Sequence, residues 1–296
     1  IIYSGLLVGL YVISDFGAVS LMRYSTVTKA IYAYYEFSIL GDPVIFYSSL
    51  LIVLALIISF VQRGSATSRS AKVSGTPKVP KKIKLERGGK MLTYAFLGFV
   101  ILLGLIIPIS VLSFWLLRGI YYGNDVSSSL PGIFGSFSAA IVTSIFAIIV
   151  SMPIVILISQ YKSKFGDILE KLMLSLYGLP HIAVGVSILF ISVKIFPSIY
   201  QSFFALVVSY LIVFIPQAIG GGQASMEQVK SSYIEASLGL GLSKIETFQK
   251  ITFPLIYRGL FAGGALVFLS TMKELPQTLL LRPTEFNTMA VDVWSF

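Results

Sequence analysis

The residues best placed to do chemistry stand at the ends of apolar runs: Asp15, His181, Lys273, Glu274 and Arg282. Asp15 and Glu274, together with Asp292, carry hard oxygen donors of the kind that hold multivalent cations. Lys273 and Glu274 lie next to the outer end of a predicted span, where charge is costly unless paired or wetted. Two readings stay open for them. They line a substrate path and meet an external partner, or they form a structural pair that anchors the helix end. Arg282 and Asp15 carry the same two readings. His181 follows Pro180 inside an apolar run and reads as a packing histidine rather than a metal or proton group. The chain has no cysteine and one histidine, which excludes thiol chemistry and Cys- or His-rich metal centres. Gly239-Leu240-Gly241-Leu242-Ser243-Lys244 has glycines and a lysine but not the Gly-x4-Gly-Lys-Ser/Thr spacing that cradles nucleotide phosphates. No nucleophile–base pair or carboxylate dyad stands in a soluble segment. The expectation is a conduit rather than an enzyme, with no resident metal or cofactor.

The elements that position these residues are dictated by composition. Hydrophobic residues make up 56% and charged residues 12%, and the mean hydropathy is +0.88. A soluble domain carries about 25% charged residues, so the chain reads as all-α and lipid-embedded. Apolar runs near the ~20 residues needed to cross a bilayer predict about seven spans, at 1–14, 43–61, 91–117, 134–158, 172–193, 202–220 and 255–272. Between Arg63 and Lys90 lie nine Lys/Arg against the single acid Glu86, in a segment rich in Ser, Gly, Pro and Thr. A solvated basic linker beside spans marks the cytoplasmic side and can touch anionic lipid. It has almost no aromatics to stack on bases, so nucleic acid is not an expected partner. With the linker inside, alternation places 16 of the 22 Lys/Arg on the inner face. Trp115, Tyr121, Tyr122 and Trp294 then sit at outer boundaries, as interfacial aromatics do.

Aligning Gly5–Ser25 with Gly264–Thr284 matches Gly5 with Gly264, Leu7 with Leu266, Val8 with Val267, Leu21 with Leu280 and Arg23 with Arg282. Asp15 then faces Glu274. Another span follows the first copy, whereas the chain stops after the second. This predicts part of a duplicated protein: residues 1–61 as the end of a first module, 62–90 as the linker, and 91–296 as a second module without its last span. Gly5-x-x-x-Gly9 and Gly259-x-x-x-Gly263 suggest close helix contacts.

One polar loop, 221–254, separates two spans. Ser225-x-x-Gln228 and Ser243-x-x-Glu246 are capping-box patterns. They predict one helix from about Met226 to Ser237, a stop at Gly239 and Gly241, and a second helix through Lys250. Pro254 would then open the next span, where its missing N–H costs little. Two short helices joined by a glycine elbow, with little bulk at Ala236 and the glycines, suit a surface that another protein approaches closely.

The spacing Glu235-Ala236-Ser237, then Gly239 and Gly241, then Ile251 and Pro254 resembles the signature loop of permease subunits of binding-protein-dependent ABC importers. That family's pattern reads Glu-Ala-Ala, Gly and Ile-x-Leu-Pro, so Ser237 and Phe253 depart from it. The resemblance implies a MetI-like polytopic bundle in the cell membrane, with the loop docking on a dimer of cytoplasmic ATPase subunits that hold ATP and Mg. It also implies an extracytoplasmic binding protein that selects the substrate, which argues against Asp15, Glu274 and Asp292 as selecting ligands. Lys273-Glu274-Leu275-Pro276-Gln277-Thr278-Leu279-Leu280-Leu281-Arg282-Pro283 is similar to a segment of fused two-module ferric-iron permeases, as is Asp15–Ser20. Ferric iron is therefore the expected cargo. Thiamine, polyamine, sulfate or molybdate permeases are the alternatives within the class. A secondary transporter is the alternative outside it, but it would want carboxylates in mid-span, and the acids cluster at loops.

Overall fold

The computed structural model describes residues 9, 12–37, 41–65, 86–123, 126–160, 164–229 and 231–295. These are mostly helical, with no strand among the described residues. Most of the basic linker and the first predicted span lie outside them.

One compact unit is formed by residues 1–67 and 131–296. Its helices are α1 (Gly17–Leu21), α2 (Val27–Phe37) and α3 (Asp42–Ser65). After residue 130 come α4 (Leu130–Gln160), α5 (Lys164–Leu176), α6 (His181–Lys194) and α7 (Phe203–Met226). Then follow α8 (Ser231–Gly239), α9 (Lys244–Thr247), α10 (Phe253–Met272), α11 (Pro276–Leu281) and α12 (Met289–Ser295). The remaining segment, 68–130, is a separate unit. Its described part is one helix from Arg87 to Tyr121, apolar and unburied along its length. Arg118 stacks over Trp115 and Tyr122 at that helix's end, at 5.2 and 5.6 Å, an aromatic anchor suited to a bilayer interface.

Among the described residues five helices are long and apolar enough to cross a membrane: Asp42–Phe60, Arg87–Tyr121, Ser127–Gln160, Phe203–Met226 and Lys244–Met272. They correspond to five of the seven spans read from hydropathy. The run 172–193 is instead broken in two. α5 ends at Leu176, and Pro180 precedes α6, which has only 14 residues. Proline lacks an N–H and pushes the residue before it out of the helical region, so the apolar run turns at 177–180. At 1.5 Å per residue α6 spans about 21 Å, less than the ~30 Å hydrocarbon core.

Two further expectations are corrected. The helix expected from about Met226, capped by Ser225, does not start there, because α7 continues to Met226. Ile219, Gly222 and Met226 are buried and keep that helix running. Gln228 Nε2 donates to Ala224 O at 3.2 Å instead of serving a cap. The loop helix begins at Ser231. Likewise the second loop helix does not stop at Lys250. α9, a π turn at Phe248–Thr252 and α10 make one 29-residue helix. Pro254 in a regular α-helix would clash with the carbonyl four residues back. The wider π turn immediately before it relieves that clash. The same solution recurs at Pro108, which follows a π turn at Leu102–Ile106.

The unit is organised on α7 and α10. A Cβ on Gly259 would lie 2.3 Å from the Gly221 carbonyl, and one on Gly263 would lie 2.8 Å from Ala218 Cα. The backbones therefore touch, as Gly259-x-x-x-Gly263 suggests. In a bilayer, helix association depends on such close packing and on interhelical hydrogen bonds. Ser270 Oγ donates to Gln217 Oε1 at 2.9 Å, and Ser144 Oγ donates to Gly264 O at 3.0 Å. Tyr210, Phe214 and Val267 bury themselves with Ile182 and Leu189 of α6 and Leu280 and Leu281 of α11.

Candidate functional site

The polar loop folds into a stiff elbow. α8 ends in a Schellman motif: Gly241 N donates to Leu238 O at 3.0 Å and Leu242 N to Ser237 O at 3.2 Å. Gly241 takes the left-handed conformation that the motif needs, with φ of 88°. The second capping box forms as its spacing predicts. Glu246 N donates to Ser243 Oγ at 3.2 Å, and Ser243 N donates to Glu246 Oε2 at 2.9 Å. Ser237 Oγ donates to Ile234 O at 2.7 Å and shares a hydrogen bond with Thr247 Oγ1 at 3.0 Å. Both hydroxyl residues are buried, so Ser237 fastens α8 to α9. Glu235, Ala236 and Gly239 lie on the open side of the elbow. Ile251 and Pro254 sit at its root, in the π turn and in the first turn of α10. Leu240 is 85% exposed and Ile245 is 70% exposed at the tip. Sequence reasoning missed these two. Their signal was apolar side chains within an otherwise polar loop.

The second set of residues lines a cavity of about 290 Å³. One wall is Ser14, Asp15, Phe16, Gly17 and Ala18, and the other is Lys273, Glu274, Leu275 and Pro276, with Tyr177 and His181 between. Both walls are breaks between a helix and the short helix that follows it. Shifting the first by the offset of the internal alignment superposes Ser14 on Lys273, Asp15 on Glu274, Phe16 on Leu275 and Gly17 on Pro276. The two aligned segments thus meet face to face.

Glu274 is 5% exposed, and its Oε2 accepts from His181 Nδ1 at 2.8 Å. Its partner is His181 on α6, not the adjacent Lys273. His181 also packs edge-on against Phe214, ring centres 5.4 Å apart, so it is both packed and bonded. Behind the cavity the polar groups are tied in series. Tyr210 OH donates to Thr278 Oγ1 at 2.7 Å, and Thr278 Oγ1 donates to Glu274 O at 2.6 Å. Gln277 Nε2 donates to Ser209 O at 3.2 Å. The Asp15 backbone carbonyl accepts from Thr28 Oγ1 at 2.9 Å. Of the sequence candidates, the cavity gathers Asp15, Lys273, Glu274 and Pro276 but not Arg282 or Asp292. Arg282 turns to the Phe286 carbonyl and the Asn287 side chain, which holds the 283–288 turn. Asp292 lies against Gly132 of α4.

The described residues form an all-α fold with five helices long and apolar enough to cross a membrane. Residues 152–289 match the family described as the binding-protein-dependent transport system inner membrane component. The chain is 29% identical, over 98% of its length, to the Fe(3+)-transport system permease protein FbpB 2 of Haemophilus influenzae. It is 26% identical over 61% of its length to a probable ABC transporter permease protein, y4oR, of Sinorhizobium fredii. It is 23% identical over 53% of its length to a spermidine/putrescine transport system permease protein PotC homolog of Mycoplasma genitalium. The chain spans 58%, 64% and 57% of these three relatives. Its second half thus resembles the inner membrane components of binding-protein-dependent transport systems. Over nearly its whole length the chain resembles a ferric-iron permease.

Proposed function

We propose that this chain is permease sequence of an ATP-driven importer whose cargo is ferric iron. The observation that carries the reading is the elbow. A loop with no catalytic group is capped at both turns, closed by a buried hydroxyl pair, and presents Leu240 and Ile245 at its tip. Exposed apolar side chains on a rigid polar element suit a protein partner, here a cytoplasmic ATPase dimer that binds ATP and Mg. The charge bias of the loops puts the linker 62–90 and the elbow on the inner face. The aligned breaks support a two-module organisation, with 1–61 belonging to the first module and 91–296 to the second. An extracytoplasmic binding protein would then deliver substrate on the side of Lys273–Pro283.

Mechanically, the elbow's second half is continuous with α10, and α10 touches α7 backbone to backbone. ATP-driven closure of the ATPase dimer would therefore displace α7 and α10 together rather than tilt each alone. The other end of that pair carries Tyr210, Thr278 and Glu274, so docking at the elbow and the shape of the cavity become two readouts of one two-state equilibrium.

The test is co-purification of the full-length permease with its ATPase, followed by ATP hydrolysis in proteoliposomes with the cognate binding protein. Stimulation by iron-loaded protein is the expected result. Stimulation by spermidine-loaded protein alone would favour the polyamine reading that the PotC homolog likeness supports, and thiamine alone would favour the thiamine alternative. Absence of any associated ATPase refutes the importer reading altogether.

A further inference from the structure

The cavity between the two breaks is charged in a way that packing does not require. A buried carboxylate is costly unless partnered, and Glu274 finds its partner on another helix while presenting itself to the cavity wall. On the opposite wall the Asp15 carboxylate has no ion pair among the described residues. Against these two acids the wall sets one lysine, Lys273, whose side chain is exposed.

We propose that this cavity is a transit site for a hydrated cation, with Asp15 and Glu274 as its acceptors and His181 as the residue that holds Glu274 while the site is empty. The proposal rests on the importer reading above. A volume of about 290 Å³ equals roughly ten waters at ~30 Å³ each, enough for a cation with a six-water shell. Among the described residues no three His, Asp or Glu side chains converge as metal ligands. A cation here keeps most of its water, and such outer-sphere holding suits passage rather than storage. Water bound to a cation is a strong hydrogen-bond donor. Glu274 can exchange the imidazole N–H for an aquo ligand without ever standing bare. Lys273, at the rim of the same wall, repels a cation and shortens its stay. Because the two acids occupy aligned positions of the repeat, the cation would be received between the two halves of the chain.

The test uses the complete permease–ATPase complex in nanodiscs and Tb³⁺ as the probe, its luminescence sensitised by tyrosine, with Tyr177 in the cavity wall. The expected result is saturable emission whose affinity falls about tenfold for each carboxylate removed, in Asp15→Asn, Glu274→Gln and the double variant. Asp15→Asn, at a half-buried position, serves if the double variant fails to fold. His181→Ala should tighten Tb³⁺ binding by removing the competing partner, and His181→Gln, which keeps an N–H donor, should leave it near wild type. Unchanged affinity in the carboxylate variants overturns the site. Weaker binding in His181→Ala overturns the exchange. Failure of loaded binding protein to stimulate the wild-type ATPase would instead refute the importer reading, while the Tb³⁺ titration still judges the cavity.

Discussion

Replacing Gly241 by alanine should loosen the elbow, whereas the same change at Gly239, two residues earlier, should not. Neither added Cβ would meet an atom within 4 Å, so crowding is removed as a cause at both sites. The difference is conformational. Gly241 has φ of 88°, where an L-residue with a Cβ costs about 1–2 kcal/mol. Gly239 is in the last turn of α8, where alanine is favoured over glycine by up to ~1 kcal/mol. The Gly241 cost is roughly a 5- to 30-fold loss in the population of the formed elbow. It should appear as faster amide exchange at Leu240–Leu242, whose bonds close the Schellman motif, and as similarly weakened ATPase association. Valine at 241 should be worse, since β-branching adds crowding at positive φ. The assay is hydrogen exchange on the purified permease, paired with titration of the ATPase onto nanodisc-held variants. Equal damage from Gly239→Ala would refute the reasoning, because it would mean that the partner needs bare backbone there. Wild-type exchange and affinity in Gly241→Ala would refute it from the other side.

Other substitutions test other joints. Gly263→Leu places a side chain where even a Cβ lies 2.8 Å from Ala218 Cα. It should cost about 1–3 kcal/mol or more by overpacking, read as a lower melting temperature in detergent, while Gly104→Ala, inside a helix with nothing within 4 Å, does not lower the melting temperature. Ser237→Ala removes the buried bond to Thr247 and should cost about 1 kcal/mol. A double-mutant cycle with Thr247→Val in the same thermal assay should show coupling, and additivity would deny the bond. Tyr210→Phe takes away the donor to Thr278 and should destabilise by a similar ~1 kcal/mol, without the loss of Tb³⁺ affinity that Glu274→Gln shows.

Much of the scaffold was legible because membrane insertion demands long apolar runs, and among the described residues five such runs form helices long enough to cross. Where the reading failed, the reason is local. Hydropathy averages over 172–193 and does not register that Gly178 and Pro180 turn the chain. The Ser225–Gln228 pattern has the letters of a cap, yet a capping residue matters only where no helix is already running, and the buried face of α7 carries that helix past it. Ser243–Glu246 succeeds because Gly241 has already stopped α8. Pro254 was expected at a helix start, and it lies within a longer helix because a π turn absorbs its clash. Aligning Asp15 with Glu274 foretold an equivalence, and the fold turns that equivalence into proximity. The His181–Glu274 bond was not legible, since 93 residues separate its ends and nothing local announces it. In the sequence Ser237 is only a departure from the family's second alanine, and its distance to Thr247 is what shows that the hydroxyl is used.

The π turn at Phe248–Thr252 is also a store of length. Each residue of an α-helix advances about 100° around the axis, and a π turn holds one residue more than an α turn. The extra residue is taken up inside the turn, so the bearing of Ile245 and Leu240 on α10 stays close to that of an unbroken helix. Deleting one residue there would close the ladder as ordinary α-helix without re-aiming the elbow, but it would set the Pro254 ring against the carbonyl four residues back. The bearing would hold while the helix kinked. Deleting one residue from the regular part of α10 would do the reverse, since with nothing to absorb the loss everything before it would swing by about 100°.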